Sequence, residues 1–244
     1  MAQMPHFAHL MFLLLMGSEL AVVAGLLIAL GAASARRKFI ALASGGGAMG
    51  IALAYACLLL AVGWFSGEKT LAPGSWKYFC EADCHIAYSI ESVNAEPSPA
   101  APSVPVPGEV RVALDLKTWF DQNSIASFRG NGPLTPEPRR VVLLDGNGAS
   151  YSPLAAVDSA NSTPLTQPLR PGESYTTRFV FQVPRDARNF RLLITDVAPV
   201  SRFVIDHENS PMHGKIFLRL PELPVVAPAS SRPSVSVRAE EKGE

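Results

Sequence analysis

The chain has 244 residues, with 21 Lys+Arg against 21 Asp+Glu and no formal net charge. That balance leaves no basic footprint for nucleic acid. Apolar residues make up 48%, but they crowd one end: residues 10–65 hold only Glu19 and the run Arg36-Arg37-Lys38 as charges, which a single soluble globule would not require.

From the N-terminus, a tail of residues 1–8 precedes an apolar region at 9–65. Residues 11–33 carry one charge, Glu19, and residues 39–65 carry none. About 20 apolar residues cross a bilayer core, so each run is long enough to span. The link between them is short and holds three cations, and no Lys or Arg precedes the first run. The positive-inside bias therefore predicts a two-helix hairpin with its link in the cytoplasm and both termini outside. Trp64, Trp76, Tyr78 and Phe79 are expected to form an interfacial aromatic belt on the outer side. Ala32-Ala33-Ser34-Ala35 also resembles a signal-peptide cleavage site. The uncharged start and the length of the apolar core argue against cleavage, which would also reverse the topology.

Glu19 falls at about the depth of Ala54 and Tyr55, counted back from the link. A bond from the Tyr55 hydroxyl is the expected way to satisfy it, as a clasp within the hairpin. An intramembrane carboxylate is also a functional candidate, as a partner contact or a proton-handling group. Gly46 and Gly50 stand at small-xxx-small spacing and permit close helix packing, within the hairpin or with another chain.

Residues 66–77 read as a tether and 78–221 as one soluble domain, with a Pro-rich loop at 94–109. Strand signals dominate this domain. Residues 87–93 alternate. Val110, Val112, Leu114 and Leu116 point one way, opposite Arg111, Asp115 and Lys117. The apolar run 141–144 ends at Asp145-Gly146-Asn147-Gly148, a tight-turn sequence. Arg170-Pro171-Gly172-Glu173 is a second turn, launching Tyr175, Thr177, Phe179 and Phe181 along one face. Leu192 and Ile194, then Phe203 and Ile205, then Ile216, Leu218 and Leu220 complete six or seven strands, the pattern of a β-sandwich. The tail 222–244 is rich in Pro, Ser and charge and is expected to be disordered.

The stretch 168–173 with its Pro-Gly-Glu turn, leading through Phe179-Val180-Phe181 to Val183-Pro184, resembles immunoglobulin-like domains of unknown function in bacterial membrane proteins and lipoproteins. The closing segment 207–220 is similar to the end of the same domains. The resemblance implies an immunoglobulin-like antiparallel β-sandwich in a bacterial envelope setting and implies no activity.

Cys80-Glu81-Ala82-Asp83-Cys84-His85 is the sharpest chemical motif. A disulfide between Cys80 and Cys84 suits an oxidising compartment, but only if the segment turns: in a strand the two sit about 13 Å apart. Thiolates with an imidazole also suit copper or zinc, and His207 and His213 (with Met212) could supply distant ligands. Cysteines three residues apart resemble the copper loops of cytochrome oxidase subunit II and of copper chaperones. In the oxidase loop, however, the histidine falls four residues after the second cysteine, where this chain has Tyr88. A c-type haem attachment would need two intervening residues, and unreactive thiols need nothing further. Cys57 reads as a small apolar helix residue. Asp206 and Glu208 read as surface ion-pair residues of little energetic weight.

No phosphate-cradling loop, nucleophile elbow or paired-histidine metalloprotease motif occurs. The expectation is a non-enzymatic, cofactor-free interaction module in a bacterial cytoplasmic membrane, bound to the lipid bilayer and to an envelope component or partner membrane protein. A copper-binding or thiol-redox accessory role through Cys80, Cys84 and His85 is the alternative. A membrane-complex subunit using Glu19 and the glycine face is a third possibility.

Overall fold

A computed structural model describes residues 8–79, 85–96, 108–125, 129–154 and 163–221. Two helices, α1 (Ala8–Ser34) and α2 (Lys38–Phe65), open the chain, and both are long and apolar enough to cross a membrane. Their link is a tight reversal. The Arg37 N–H bonds the Ala32 carbonyl at 2.8 Å and the Arg36 N–H bonds that of Ala33 at 3.0 Å, with Arg36 left-handed at φ 58°. This is the Schellman stop, built on an arginine where glycine is commonest. The helices meet through small residues: a Cβ on Gly25 would stand 3.0 Å from the Ala48 Cβ, and one on Gly45 3.7 Å from the Ala29 Cβ.

Among the described residues nine strands follow: β1 (Lys69–Leu71), β2 (Lys77–Phe79), β3 (Ile86–Glu96), β4 (Glu109–Phe120), β5 (Arg139–Leu144), β6 (Ser150–Tyr151), β7 (Ser174–Pro184), β8 (Arg191–Asp196) and β9 (Ile216–Arg219). They form two sheets, ordered β1-β9-β8-β5-β6 and β2-β3-β4-β7. All pairs are antiparallel except β1 with β9. Period-two alternation turns one side of each sheet inward. Tyr88, Val112, Leu114, Leu116, Phe120 and Phe181 of one sheet meet Leu143, Leu192, Ile194 and Leu218 of the other in one buried cluster. The domain is a β-sandwich.

Four expectations change. Where 66–77 reads as a tether, β1 pairs with β9 and β2 with β3, because Thr70 and Leu71 complete the β9 edge. The Pro-rich loop narrows, since β3 runs to Glu96 and β4 starts at Glu109; its residues 97–107 lie outside the described residues, as do the tails 1–7 and 222–244. Phe203 and Ile205 do not form a strand. Pro199 opens a 3-10 turn (Pro199–Phe203), and Asp206 and Met212 take φ of 63°, which breaks any extended path. Of the proposed aromatic belt only Trp64 is exposed on a helix end. Trp76 packs on Trp119 at 5.1 Å, Tyr78 bonds Asp121 and Phe79 is core.

Tyr88 is fully buried, edge-on to Phe79 at 5.4 Å, and its hydroxyl finds no partner among the described residues. Desolvation pushes its pKa well up, so it stays neutral. Removing an unsatisfied buried hydroxyl recovers its desolvation cost. Tyr88→Phe is therefore expected to leave stability unchanged or raise it by about 1 kcal/mol, measured by denaturant unfolding of the full chain; a loss of that size would show that the hydroxyl has a partner.

Candidate functional site at the helix-facing end of the sandwich

The helix hairpin and the sandwich are joined by more than the covalent chain. The Tyr55 hydroxyl donates to the Phe203 carbonyl at 2.6 Å. The Ser66 hydroxyl donates to Gly63 O at 3.0 Å and accepts from the Gly214 N–H at 2.8 Å. Gly63 lies directly under Pro211, where an added Cβ would overlap the Pro211 carbonyl oxygen, and a Cβ on Gly214 would likewise overlap the Gly67 backbone. The Lys69 N–H bonds Lys215 O at 2.9 Å. The segment 197–215 is thus clamped along the last third of α2.

Behind this clamp lies a buried charge network. Lys77 sits beside Phe79 on the inward face of β2 with 3% exposure. Its Nζ donates to Glu208 Oε2 at 2.8 Å and Oε1 at 3.0 Å, to Ile194 O at 2.6 Å and to Ile216 O at 2.8 Å. One ammonium therefore ties β2 of one sheet to β8 and β9 of the other. Arg139 pairs with Asp196 at 3.2 Å and lies 4.3 Å over the Phe79 ring, where Lys77 also approaches at 4.9 Å. Desolvation pulls the pKa of Lys77 and of Arg139 down, opposed by Glu208 for the first and by Asp196 and Glu208 for the second. Two cations face two carboxylates, and the burial is tolerable only because each is paired.

His207 completes the set. Its Nδ1 accepts the Asn209 N–H at 3.0 Å, so the neutral ring carries its proton on Nε2, 3.9 Å from Asp196 Oδ2. Burial pushes its pKa below 6.5, against the pull of Glu208 and Asp196. The folded state thus resists a proton that the unfolded chain accepts. Stability from this group is intact above about pH 6.5 and is lost as pH falls from there toward the depressed folded value. His207→Asn keeps an acceptor for Asn209 N–H. It is expected to flatten the fall in stability below about pH 6.5 relative to the parent chain; parallel curves in thermal unfolding would rule the titration out.

The described histidines singled out from sequence are each committed to other partners. His85 is buried in a different neighbourhood, stacked on Phe120 at 5.5 Å, with Nδ1 2.7 Å from Ser124 Oγ, whose own proton goes to Asp121 O. His207 is committed as above. His213 sits with Nδ1 2.7 Å from Gly214 O and Nε2 3.3 Å from Asp206 Oδ1. Cys80 and Cys84 lie outside the described residues. Among the described residues no group of three or more His, Cys, Asp or Glu could hold a metal ion.

Three further expectations are corrected. Tyr55 does not bond Glu19: its proton goes to Phe203 O, because the docked 3-10 turn offers an orphan carbonyl. Glu19 stays within electrostatic reach but exposed on α1. Gly46 and Gly50 do not pack the hairpin, since a Cβ on either meets nothing within 4 Å. Glu208 is no surface residue; at 7% exposure it is the buried partner of Lys77. Sequence did hold a signal for the network: alternation through Trp76-Lys77-Tyr78-Phe79 puts Lys77 on the same face as Phe79.

No protein-family model matches the sequence, and no curated protein matches it. Among solved structures, a secreted protein of Mycobacterium tuberculosis aligns at 12% identity and a TM-score of 0.41, covering 63% of this chain and 98% of its own. An uncharacterized β-sandwich protein of Clostridium difficile aligns at 12% identity and 0.37, covering 64% and 96%. The yjhA protein of Bacillus subtilis aligns at 12% identity and 0.35, covering 62% and 98%. Likeness this distant carries no inference about role.

Proposed function

We propose that the chain is a two-pass protein of a bacterial cytoplasmic membrane, with an immunoglobulin-like sandwich held on the outer side as a non-enzymatic module that binds a partner protein or envelope component. The observation that carries the reading is the clamp between 197–215 and α2: the sandwich is held in one pose on an apolar hairpin, which suits presentation of a binding surface. The basic link Arg36-Arg37-Lys38 supports the orientation.

The surface to test is the flank of β3. Strand β2 pairs only with Ile86–Tyr88, so among the described residues no strand pairs the outer side of β3 beyond Tyr88. An open strand edge is a docking rail for a partner strand, and the bulge between Ile90 and Ser92 with exposed Glu91 and Asn94 keeps it from self-pairing. The exposed Glu19 and the open Gly46–Gly50 face are where a partner membrane helix would seat. For copper handling, His85 is already engaged with Ser124 and Phe120, so that reading gains no support from the described residues.

A photo-crosslinking residue at Asn94 in cells is expected to capture a discrete partner that one at Asn147 does not. Impermeant thiol labelling of intact cells is expected to reach Asn147→Cys and not Arg37→Cys. Equal crosslinking at both sites would remove the binding edge, and the reverse labelling pattern would remove the topology.

A further inference from the structure

We infer that the segment 197–213 is a second membrane contact, a monotopic wedge that lays the sandwich on the outer leaflet; this rests on the reading that α1 and α2 span the bilayer. Every large apolar side chain that the described sandwich leaves exposed belongs to this segment: Val197 at 49%, Val200 at 49%, Phe203 at 57% and Met212 at 62%. Among the described residues of the sandwich no other large apolar side chain is exposed, so these four fall in one short segment and not as scattered background.

Its height is set by α2. The Tyr55 hydroxyl holds the Phe203 carbonyl, and at about 1.5 Å per residue Tyr55 stands roughly 25 Å along α2 from Lys38. With Lys38 at the cytoplasmic boundary and a hydrocarbon core of about 30 Å, Phe203 falls about 5 Å inside the outer boundary. The remaining turns of α2, through Trp64 and Phe65, then cross the headgroup layer. Interfacial elements bury their apolar face to about this depth.

The rest of the segment fits the same surface. Arg202 is exposed between Val200 and Phe203, and its long side chain can carry the guanidinium out toward lipid phosphates. The 3-10 turn's backbone is partly satisfied internally: the Ala198 carbonyl accepts from the Ser201 N–H at 3.2 Å and from its hydroxyl at 2.6 Å, and Asp196 Oδ1 takes the Ala198 N–H at 2.7 Å. The Lys77–Glu208 network stiffens the wedge from behind. The occupant of this patch is therefore lipid, the boundary of acyl chain and headgroup.

The test uses the full chain, with its three cysteines replaced by serine, in vesicles of phosphatidylcholine and phosphatidylglycerol. An environment-sensitive fluorophore is attached at Val200→Cys or Met212→Cys. Asn147→Cys is the far-end control, since the 145–149 turn caps β5 at the end opposite Asp196. Leu27→Cys and Leu58→Cys report on the helices. Quenching by nitroxide lipids is expected to be at least about threefold stronger at positions 200 and 212 than at 147, with iodide showing the reverse order. If 200 and 212 behave like 147 while 27 and 58 remain lipid-quenched, the hairpin spans and the wedge is refuted. If 27 and 58 are also iodide-accessible, the spanning reading itself fails and takes the wedge with it.

Discussion

Lys77→Met is expected to cost about 3–5 kcal/mol of stability, the usual penalty for stranding one member of a buried pair. Glu208 would be stranded at 7% exposure with its main partner gone, and the Ile194 and Ile216 carbonyls would lose a shared donor. For a domain of this size that corresponds to a fall in Tm of roughly 6–20 °C, readable by thermal unfolding of the detergent-solubilised chain. Methionine preserves the aliphatic stem and much of the volume, so the loss reports on the ammonium and not on packing. The double variant Lys77→Met with Glu208→Leu removes both charges and is expected to recover most of the loss. If the double variant is as unstable as the single, the network's energy lies in the carbonyl bonds and not in the ion pair.

Gly63→Ala is expected to release the sandwich from α2. In an unconstrained helix the same change stabilises by about 1 kcal/mol, because alanine loses less backbone entropy. At Gly63 the new Cβ would fall on the Pro211 carbonyl oxygen, a backbone atom that cannot rotate aside. The clamp must open, and with it go the Tyr55–Phe203 and Ser66–Gly214 bonds. Spin labels at Leu58 and Arg202 should give a narrow distance distribution in the parent and a broad one in the variant. Gly46→Ala and Gly50→Ala, whose added methyls meet nothing, should keep the narrow distribution and leave stability equal or higher. A Gly63→Ala chain that keeps the narrow distribution would remove the clamp, and with it the fixed pose assigned to the sandwich.

These expectations separate two kinds of information in the chain. The helices at 8–34 and 38–65 follow from long apolar runs, interrupted only by Glu19, around a charged link; strands β3, β4, β7, β8 and β9 follow from alternation between turn sequences, and β5 from a short apolar run. These are local properties. A residue's neighbours in sequence decide whether it sits on an inward or an outward face, so most of the sandwich core was legible, Leu114 and Phe181 included. The tether was misread because three residues, Lys69–Leu71, are too few for a periodic signal; their pairing with β9 comes from across the chain.

The site was barely legible, for the same reason carried further. Sequence by itself determined two membrane-length helices, an alternating β domain and the positions of its turns. Only the tertiary structure decided that Tyr55 bonds Phe203 and not Glu19, that Lys77 meets Glu208, and that the Pro211 carbonyl lies against Gly63 of α2. Tyr55 and Phe203 are 148 positions apart and Lys77 and Glu208 are 131 apart. Periodicity sets which way a side chain points, but which group it meets depends on how the sheets stack and where the helix ends against them.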